Sequence, residues 1–350
     1  MPELMRLDFG DLRTIAVGFA AAIVVLLALF SVVGIDRVLD ALVLADTQVL
    51  ALIGVVALAW LVSWSMALWT VLGVLGVRIS PLRSFMLYAG ATFANNITPF
   101  GQAGGEPFSA LLISQDTGAE YETGLAAIAS VDSINFVPSI AFALVGLVYY
   151  ATVLAIGDRL QIEYIALAVG GLAVGVPVAA TLAWRSRDRV EAGVATVVVP
   201  VFGAVARVVP RVEPTTHSTV RRRVRGFFRA IERVAGDRRS LLLAVAFSAL
   251  GWLLSATSLW LSLYALDVVV PFPAVLFVIP LVSMAGVTPL PGGLGGVEAA
   301  LVFLLGPIAG VSGSVAAAAA VIHRAATYLM PVVIGGISTA MLGAHSVNGE

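Results

Sequence analysis

Five ionisable side chains stand inside long apolar stretches of the sequence: Glu106, Asp132, Glu298, His323 and Arg324. A charged group at membrane depth costs about 2.5–3.5 kcal/mol on insertion scales, so such groups are functional candidates by default. A carboxylate there can carry a proton, and a guanidinium can bind a phosphate through its planar fork of donors. The sequence therefore predicts a polar site for a charged ligand inside an apolar protein.

Glu106 and Glu298 occupy equivalent places in the sequence. Each follows a Gly-Gly pair and opens a short apolar half-helix, and Pro107 is suited to the first turn of such a helix. One interpretation is that each carboxylate satisfies the free N–H groups of its own helix start. The other is that it exchanges places with an anionic substrate group or carries a coupling proton. The residues leave both interpretations open.

Arg324 lies eleven residues into the last apolar run, so it needs a partner or a water-filled cavity. Glu106 and Glu298 are its candidate partners, either as a structural ion pair or as parts of a phosphate-binding site. His323 is adjacent and faces about 100° away on a helix, so we expect it to be packed or hydrogen-bonded.

Several polar residues accompany these charges near the same breaks in the apolar pattern. Asp132 shares a helix face with Asn135, three residues on, and is expected to point inward. The predicted substrate-binding residues are Asn95, Asn96, Gln102, Glu106, Asp132, Glu298 and Arg324.

The composition defines the environment that must hold this site. Of the 350 residues, 60% are hydrophobic and 12% charged, whereas soluble domains are roughly 25% charged. The chain has no cysteine, which excludes disulfides, Cys-ligated metals and thiol nucleophiles, and its three histidines are far apart. We therefore predict a polytopic helical membrane protein without a metal site or other cofactor.

Six apolar runs are long enough for a helix of about 20 residues to cross about 30 Å of hydrocarbon. They lie at 14–33, 49–75, 124–150, 162–184, 241–266 and 313–343. Two further apolar regions are interrupted by polar residues, Gly and Pro; we call 84–114 the first broken region and 274–311 the second broken region. The residues expected to hinge or gate these breaks are Pro99, Gly104, Gly105, Pro291, Gly293 and Gly295.

The distribution of arginine favours a re-entrant hairpin at 84–114. With that hairpin and a cytoplasmic N-terminus, seventeen arginines face the cytoplasm: Arg6, Arg13, Arg78, Arg83 and the thirteen in 185–239. Only Arg37 and Arg159 lie outside. If 84–114 instead crosses the membrane once, the best orientation places fourteen arginines on the cytoplasmic side and five outside. Because cytoplasmic loops are enriched in basic residues, the hairpin is preferred, with both termini cytoplasmic.

The hairpin makes the two halves of the chain alike. Residues 1–150 and 162–343 each become span, span, hairpin, span, and the second half starts on the opposite face. The predicted fold is one all-α membrane domain over 1–350 with six spans and two re-entrant helical hairpins in an inverted repeat. Such paired interruptions point to a transporter's binding site, although packing kinks are the alternative.

The central insertion, residues 185–239, is basic. Within it, 218–235 has apolar residues at helical spacing, so we expect an amphipathic helix on the cytoplasmic leaflet. Its arginines would contact anionic headgroups. Nucleic-acid binding is the other interpretation of a basic run, and membrane topology explains the charge without it. The predicted membrane-surface residues are Arg221, Arg222, Arg225, Arg229 and Arg233.

At the two broken regions the sequence resembles the flippase-like membrane domain of lysylphosphatidylglycerol synthases, which also occurs as uncharacterised stand-alone proteins. The matching residues are Asn95-Asn96-x-x-Pro99 with Gly105-Glu106, Pro291-x-Gly293-x-Gly295-x-x-Glu298, and Arg324 with Pro331 and Gly335.

The resemblance implies translocation of a lipid with an anionic or phosphate-containing headgroup between leaflets of the cell membrane. Membrane lipids would be its partners, and the synthases' aminoacyl-transfer activity would be absent. Two alternatives stay open. One is a membrane subunit or enzyme of lipid or polyprenol-linked glycan synthesis, and the other is a non-catalytic assembly protein.

Overall fold

The computed structural model of the chain describes residues 34–98, 102–149, 217–287 and 290–348, with isolated helical positions at 27 and between 167 and 186. Regular structure in these segments is helical throughout, which confirms the all-α class. The predicted spans at 14–33 and 162–184 lie outside the segments that the structure describes.

The described helices follow one another along the chain as eleven α-helices. They are α1 Ile35–Val43, α2 Thr47–Val74, α3 Pro81–Ile97, α4 Gln102–Thr117, α5 Tyr121–Tyr149, α6 His217–Gly236, α7 Arg238–Tyr264, α8 Phe272–Met284, α9 Gly296–Ala309, α10 Gly313–Arg324 and α11 Met330–Asn348. Short 3-10 turns occupy Ala285–Val287 and Pro291–Gly293, and the π-helical segment Ala325–Leu329 joins α10 to α11.

Five helical segments among the described residues are long and apolar enough to cross a membrane. Four of them match predicted spans: Thr47–Val74, Tyr121–Tyr149, Arg238–Tyr264 and Gly313–Gly343. The fifth, Pro291–Ala309, comes from the second broken region, and its neighbour Phe272–Met284 is shorter. The protein is therefore a multi-pass helical membrane protein.

The first broken region folds as two antiparallel helices, α3 and α4. At their outer end, Arg83 donates from Nε and Nη2 to the two carboxylate oxygens of Asp116, at 2.7 and 2.8 Å. Helix α3 ends at Ile97 because Thr98 is extended (φ −89°, ψ 143°), the conformation favoured before a proline. The sequence at Pro99 thus separates two helices of 17 and 16 residues, each about 25 Å long.

The second broken region is interrupted by glycines in left-handed conformations. Gly292, Gly293 and Gly295 have φ values of 54°, 67° and 80°, which residues with a Cβ rarely adopt. The chain turns there between α8 and α9, and both helices contribute to one apolar cluster that includes Phe277, buried completely.

The outer ends of these two helix pairs lie at opposite ends of the bundle. Helix α2 runs from one end to the other: the N–H of Asp46, just before it, donates to Ala265 O at 3.0 Å, close to the chain that leads into α8. The last turns of α2, Val71 and Leu72, instead pack in a cluster with α3 and with the central helix α6. The α3–α4 pair therefore opens at the end that carries α6.

The amphipathic helix predicted at 218–235 is confirmed as α6, but part of its apolar face has another partner. Ala230 and Val234 are 1% and 4% exposed and pack against α2 and α5. We expected this whole apolar face to lie on lipid, but part of it packs on the protein's own helices instead. The arginines at 225, 229 and 233 are exposed, whereas the side chains at 221 and 222 lie outside the described residues.

Candidate functional site

A buried ion pair joins the second broken region to the last span. Arg324 donates from Nε to Glu298 Oε1 at 2.7 Å and from Nη2 to the carbonyl oxygen of Gly292 at 2.9 Å. The two charged side chains are 14% and 6% exposed. Of the two carboxylates predicted as partners of Arg324, Glu298 is the one that binds it.

Glu298 also caps the helix that carries it. Its other carboxylate oxygen, Oε2, accepts a hydrogen bond from the backbone N–H of Gly295 at 2.6 Å, which satisfies a donor at the start of α9. The capping role and the ion pair, alternatives in the sequence, are combined in one side chain. A buried pair with its remaining lone pairs satisfied is the arrangement that such a pair needs to be tolerated.

Tyr328 connects this pair to the first broken region. Its ring lies under the guanidinium of Arg324, 4.5 Å from Cζ to the ring centroid, as in a cation–π contact. Its hydroxyl donates to the carbonyl oxygen of Asn96 at 3.2 Å. The sequence reasoning missed this residue, although an aromatic residue four positions after an arginine on a helix is a recognisable contact pattern.

The two broken regions meet at the residues that Tyr328 contacts. A Cβ added to Gly292 would lie 3.1 Å from Asn96 O and would collide with the Tyr328 ring. The glycine is therefore required both by its left-handed φ and by the close approach of the neighbouring chain. The last turn of α3, the Gly-rich turn and the π-helical segment come together at this point.

A separate acidic pair is formed by Glu106 of the first broken region and Asp132 of α5. Asp132 is close enough to Glu106 and to Tyr88 to interact with each electrostatically. Buried Asp132 Oδ2 and Asn95 Oδ1, two acceptors, have no hydrogen-bond partner among the described residues, and neither has the buried donor Asn96 Nδ2. Glu106 makes no ion pair with Arg324 within the described segments.

Gly105 lets the two arms of the first broken region approach each other beside this acidic pair. A Cβ there would lie 2.6 Å from the backbone nitrogen of Asn95. Of the other predicted hinge residues, Pro291, Gly293 and Gly295 are buried, and Pro99 lies outside the described residues. Gln102 and Gly104 are in α4, and because this helix begins at Gln102, the expectation that Glu106 and Pro107 open it is wrong: both lie in its second turn.

His323 is buried, and its Nδ1 is 3.0 Å from the hydroxyl oxygen of Ser258 on α7. The prediction of a hydrogen-bonded histidine is confirmed. The described residues contain no group of three metal-binding side chains.

Taken together, these contacts form two polar groups of different charge. Arg324 and Glu298 form a neutral pair, and the guanidinium nitrogen Nη1 donates to no described residue. Glu106 and Asp132 have no cation beside them in the described segments. The first group can offer donors to an anionic oxygen, and the second can hold a proton.

The chain is similar to one protein family and to individual known proteins over most of its length. A family model described as "Lysylphosphatidylglycerol synthase TM region" matches residues 15–335. Three curated proteins of Methanothermobacter thermautotrophicus, each described as a UPF0104 membrane protein, align over most of their length. One is 28% identical over 349 residues, 95% of this chain and 94% of the relative. Another is 26% identical over 330 residues, covering 91% and 93%, and the third is 26% identical over 332 residues, covering 91% of each.

Proposed function

Because this chain belongs to the lysylphosphatidylglycerol synthase TM-region family, we propose that it moves a lipid with an anionic, phosphate-containing headgroup between the leaflets of the cell membrane. The observation that carries the proposal is the buried Arg324–Glu298 pair at the meeting point of the two broken regions. A polar site at such a point can receive a headgroup while the acyl chains remain in lipid.

The proposed membrane arrangement has six spans and two re-entrant helix pairs, one entering from each side. The antiparallel packing of α3 and α4, closed by Arg83 and Asp116, supports the first pair, and the opposite placement of the α8–α9 pair supports the inverted repeat. In this arrangement both termini and α6 are cytoplasmic, where exposed arginines face anionic lipids. Transport would occur as one half of the repeat rocks against the other.

In the proposed binding step, the headgroup phosphate accepts hydrogen bonds from Arg324. Nη1, which donates to no described residue, supplies one donor, and a phosphate that displaces Glu298 instead accepts from Nε–H and from the Nη2 N–H that points the same way in the guanidinium plane. Glu298 would remain bonded to the N–H of Gly295, so the carboxylate keeps a partner after displacement. Replacing one anionic acceptor by another keeps the buried guanidinium neutralised throughout.

The acidic pair is proposed to carry the proton that compensates the headgroup charge. Glu106 and Asp132 interact electrostatically, and Asp132 has a buried oxygen that accepts a hydrogen bond from no described residue. Two nearby carboxylates favour holding one proton between them because both cannot easily be ionised together. This proton would provide coupling to a gradient.

The experiment is reconstitution into phosphatidylcholine–phosphatidylglycerol vesicles that contain a trace of tail-labelled NBD-phosphatidylglycerol. Dithionite added outside quenches inner-leaflet label only when the lipid crosses. We expect Arg324→Ala to slow the quenching of inner-leaflet label by roughly ten- to hundred-fold, because the variant loses charge-assisted hydrogen bonds worth about 1.5–3 kcal/mol. Arg324→Lys keeps the charge but loses the planar fork, and we expect an intermediate rate.

Arg239→Ala is the matched control, since Arg239 is exposed at the start of α7 and loses the same charge outside the site. Each variant is compared at equal folded amount, judged by its thermal midpoint in detergent. Wild-type rates for both Arg324 variants would contradict the proposed role of the guanidinium. Wild-type protein that moves no label, combined with loss of a lipid product in a deletion strain, would favour a biosynthetic role instead.

A further inference from the structure

Tyr328 contacts three separate parts of the polar site at once: Arg324, Asn96 and Gly292. We propose that Tyr328 is a positioning residue that interlocks the two broken regions, so that neither can move without the other. The interlock itself is a property of the fold, and its consequence for lipid movement rests on the proposed function.

The end of α3 is the first part of the site that Tyr328 holds. The last four carbonyl groups of a helix have no donor within the helix, and the carbonyl of Asn96 is one of these. The carbonyl of Ala94 accepts from the N–H and hydroxyl of Thr98, at 3.0 and 2.7 Å. The carbonyl of Asn96 instead accepts from Tyr328, a residue 232 positions away in the sequence and on the last span. The end of α3, at the break in the first broken region, is therefore anchored by a side chain of the other half.

The backbone that carries Tyr328 has an unusual helical form. Residues Ala325–Leu329 are π-helical, a form that is rare in proteins and is found mostly at functional sites. This segment starts directly after Arg324 and holds the Tyr328 ring under the guanidinium, with only 4% of Tyr328 exposed. The ring thus restricts the guanidinium that binds Glu298.

The second broken region packs against both Arg324 and Tyr328. Arg324 donates to the carbonyl of Gly292, and the ring of Tyr328 fills the space where a side chain at 292 would be. The Gly-rich turn is thereby held by the arginine and the tyrosine together. Displacing this turn would remove atoms that pack against the Tyr328 ring. Displacing α3 would remove Asn96 O, which accepts from the Tyr328 hydroxyl.

Tyr328→Phe tests the interlock because it removes the hydroxyl and keeps the ring. The hydroxyl bond is expected to contribute about 0.5–1.5 kcal/mol, so local opening should become roughly two- to twelve-fold more frequent. We would follow amide hydrogen exchange by mass spectrometry in detergent, using peptides that cover 94–98 and 290–295. Faster exchange is expected in both peptides, with unchanged exchange in α7 and only a small decrease in the thermal midpoint.

Tyr264→Phe is the matched control, because Tyr264 is 47% exposed at the end of α7 and stacks on Trp260 away from the site. It should alter neither peptide. Faster exchange in only one broken region, an unchanged exchange in both, or a general increase that includes α7 would overturn the interlock. Hydrogen exchange needs no lipid movement, so wild-type protein that fails to move NBD-phosphatidylglycerol would count against the proposed function alone.

Discussion

At the scale of single residues, the site depends on how one carboxylate is shared. Glu298 accepts from Arg324 with one oxygen and from the N–H of Gly295 with the other. Loss of either partner of a buried pair leaves the other charge without compensation, which is costly, whereas replacing both by neutral groups can be close to neutral. The pair should therefore show strong energetic coupling.

A double-mutant cycle tests this coupling. We expect Glu298→Gln and Arg324→Gln each to destabilise the protein by roughly 3 kcal/mol, because each leaves one buried charge unpaired. The double variant should cost less than the sum of the two by about 1–3 kcal/mol. Thermal unfolding in detergent, followed by circular dichroism, measures the differences in stability.

The exposed pair Arg83–Asp116 provides the comparison for that cycle. Its arginine side chain is 48% exposed, although that of Asp116 is only 4% exposed, and pairs with a hydrated cation contribute about 0–1 kcal/mol. Arg83→Gln should therefore shift the thermal midpoint less than Arg324→Gln does. Additive effects for Glu298 and Arg324 would show that the two side chains do not depend on one another.

At the scale of helices, the position of the first broken region is set by its contact with the last span. Gly335 of α11 lies against Ala89 and Phe93 of α3, where a Cβ would come 2.6 Å from Phe93 Cβ and would collide with the carbonyl of Ala89. Close backbone approach through small residues is the usual way in which membrane helices associate. This contact holds α3 beside the helix that carries Arg324 and Tyr328.

Gly335→Ala should lower the thermal midpoint because the added methyl group meets backbone atoms that cannot turn away, at a cost of about 1–3 kcal/mol. Gly336→Ala is a control one residue away, since its Cβ would meet the Phe93 ring at 3.6 Å, an ordinary contact. Ala favours a helix by about 1 kcal/mol over Gly, so Gly336→Ala should be neutral or stabilising. Equal loss of stability in the two variants would contradict close packing at Gly335.

At the scale of the whole molecule, charge separates the two ends of the bundle. Exposed arginines of α6 and the start of α7 lie at the end where α3 begins and α4 finishes. The opposite end carries aspartates, among them Asp36, Asp46 and Asp267. If the basic end is cytoplasmic, residues on both arms of the first broken region must be reached from that side.

Single cysteines test this arrangement cleanly because the chain has none of its own. Gln115→Cys and Arg239→Cys should react with an impermeant maleimide only from the cytoplasmic side. Val269→Cys, at a site 75% exposed before α8, should react only from outside. Labelling of Gln115→Cys from outside would instead indicate that 84–114 crosses the membrane once.

The sequence alone determined the features that depend on neighbouring residues. Hydropathy along the chain predicts the apolar helices, and the Pro- and Gly-rich stretches at 95–107 and 288–298 predict where helices stop, because both properties act within a few residues. Charged groups in apolar runs identified Glu298 and Arg324 for the same reason. Helix α6 was also predicted from its periodicity.

Only the tertiary structure decided which of these groups meet. Both Glu106 and Glu298 suit Arg324 by type, and packing places Glu298 beside it, whereas Glu106 interacts electrostatically with Asp132. The contact of Tyr328 with Asn96 and the burial of Val234 of α6 against α2 and α5 likewise depend on how distant helices dock. Local sequence sets the free-energy cost of burying a charge. The partner that offsets this cost depends on the relative positions of helices far apart in the chain, and no local pattern encodes those positions.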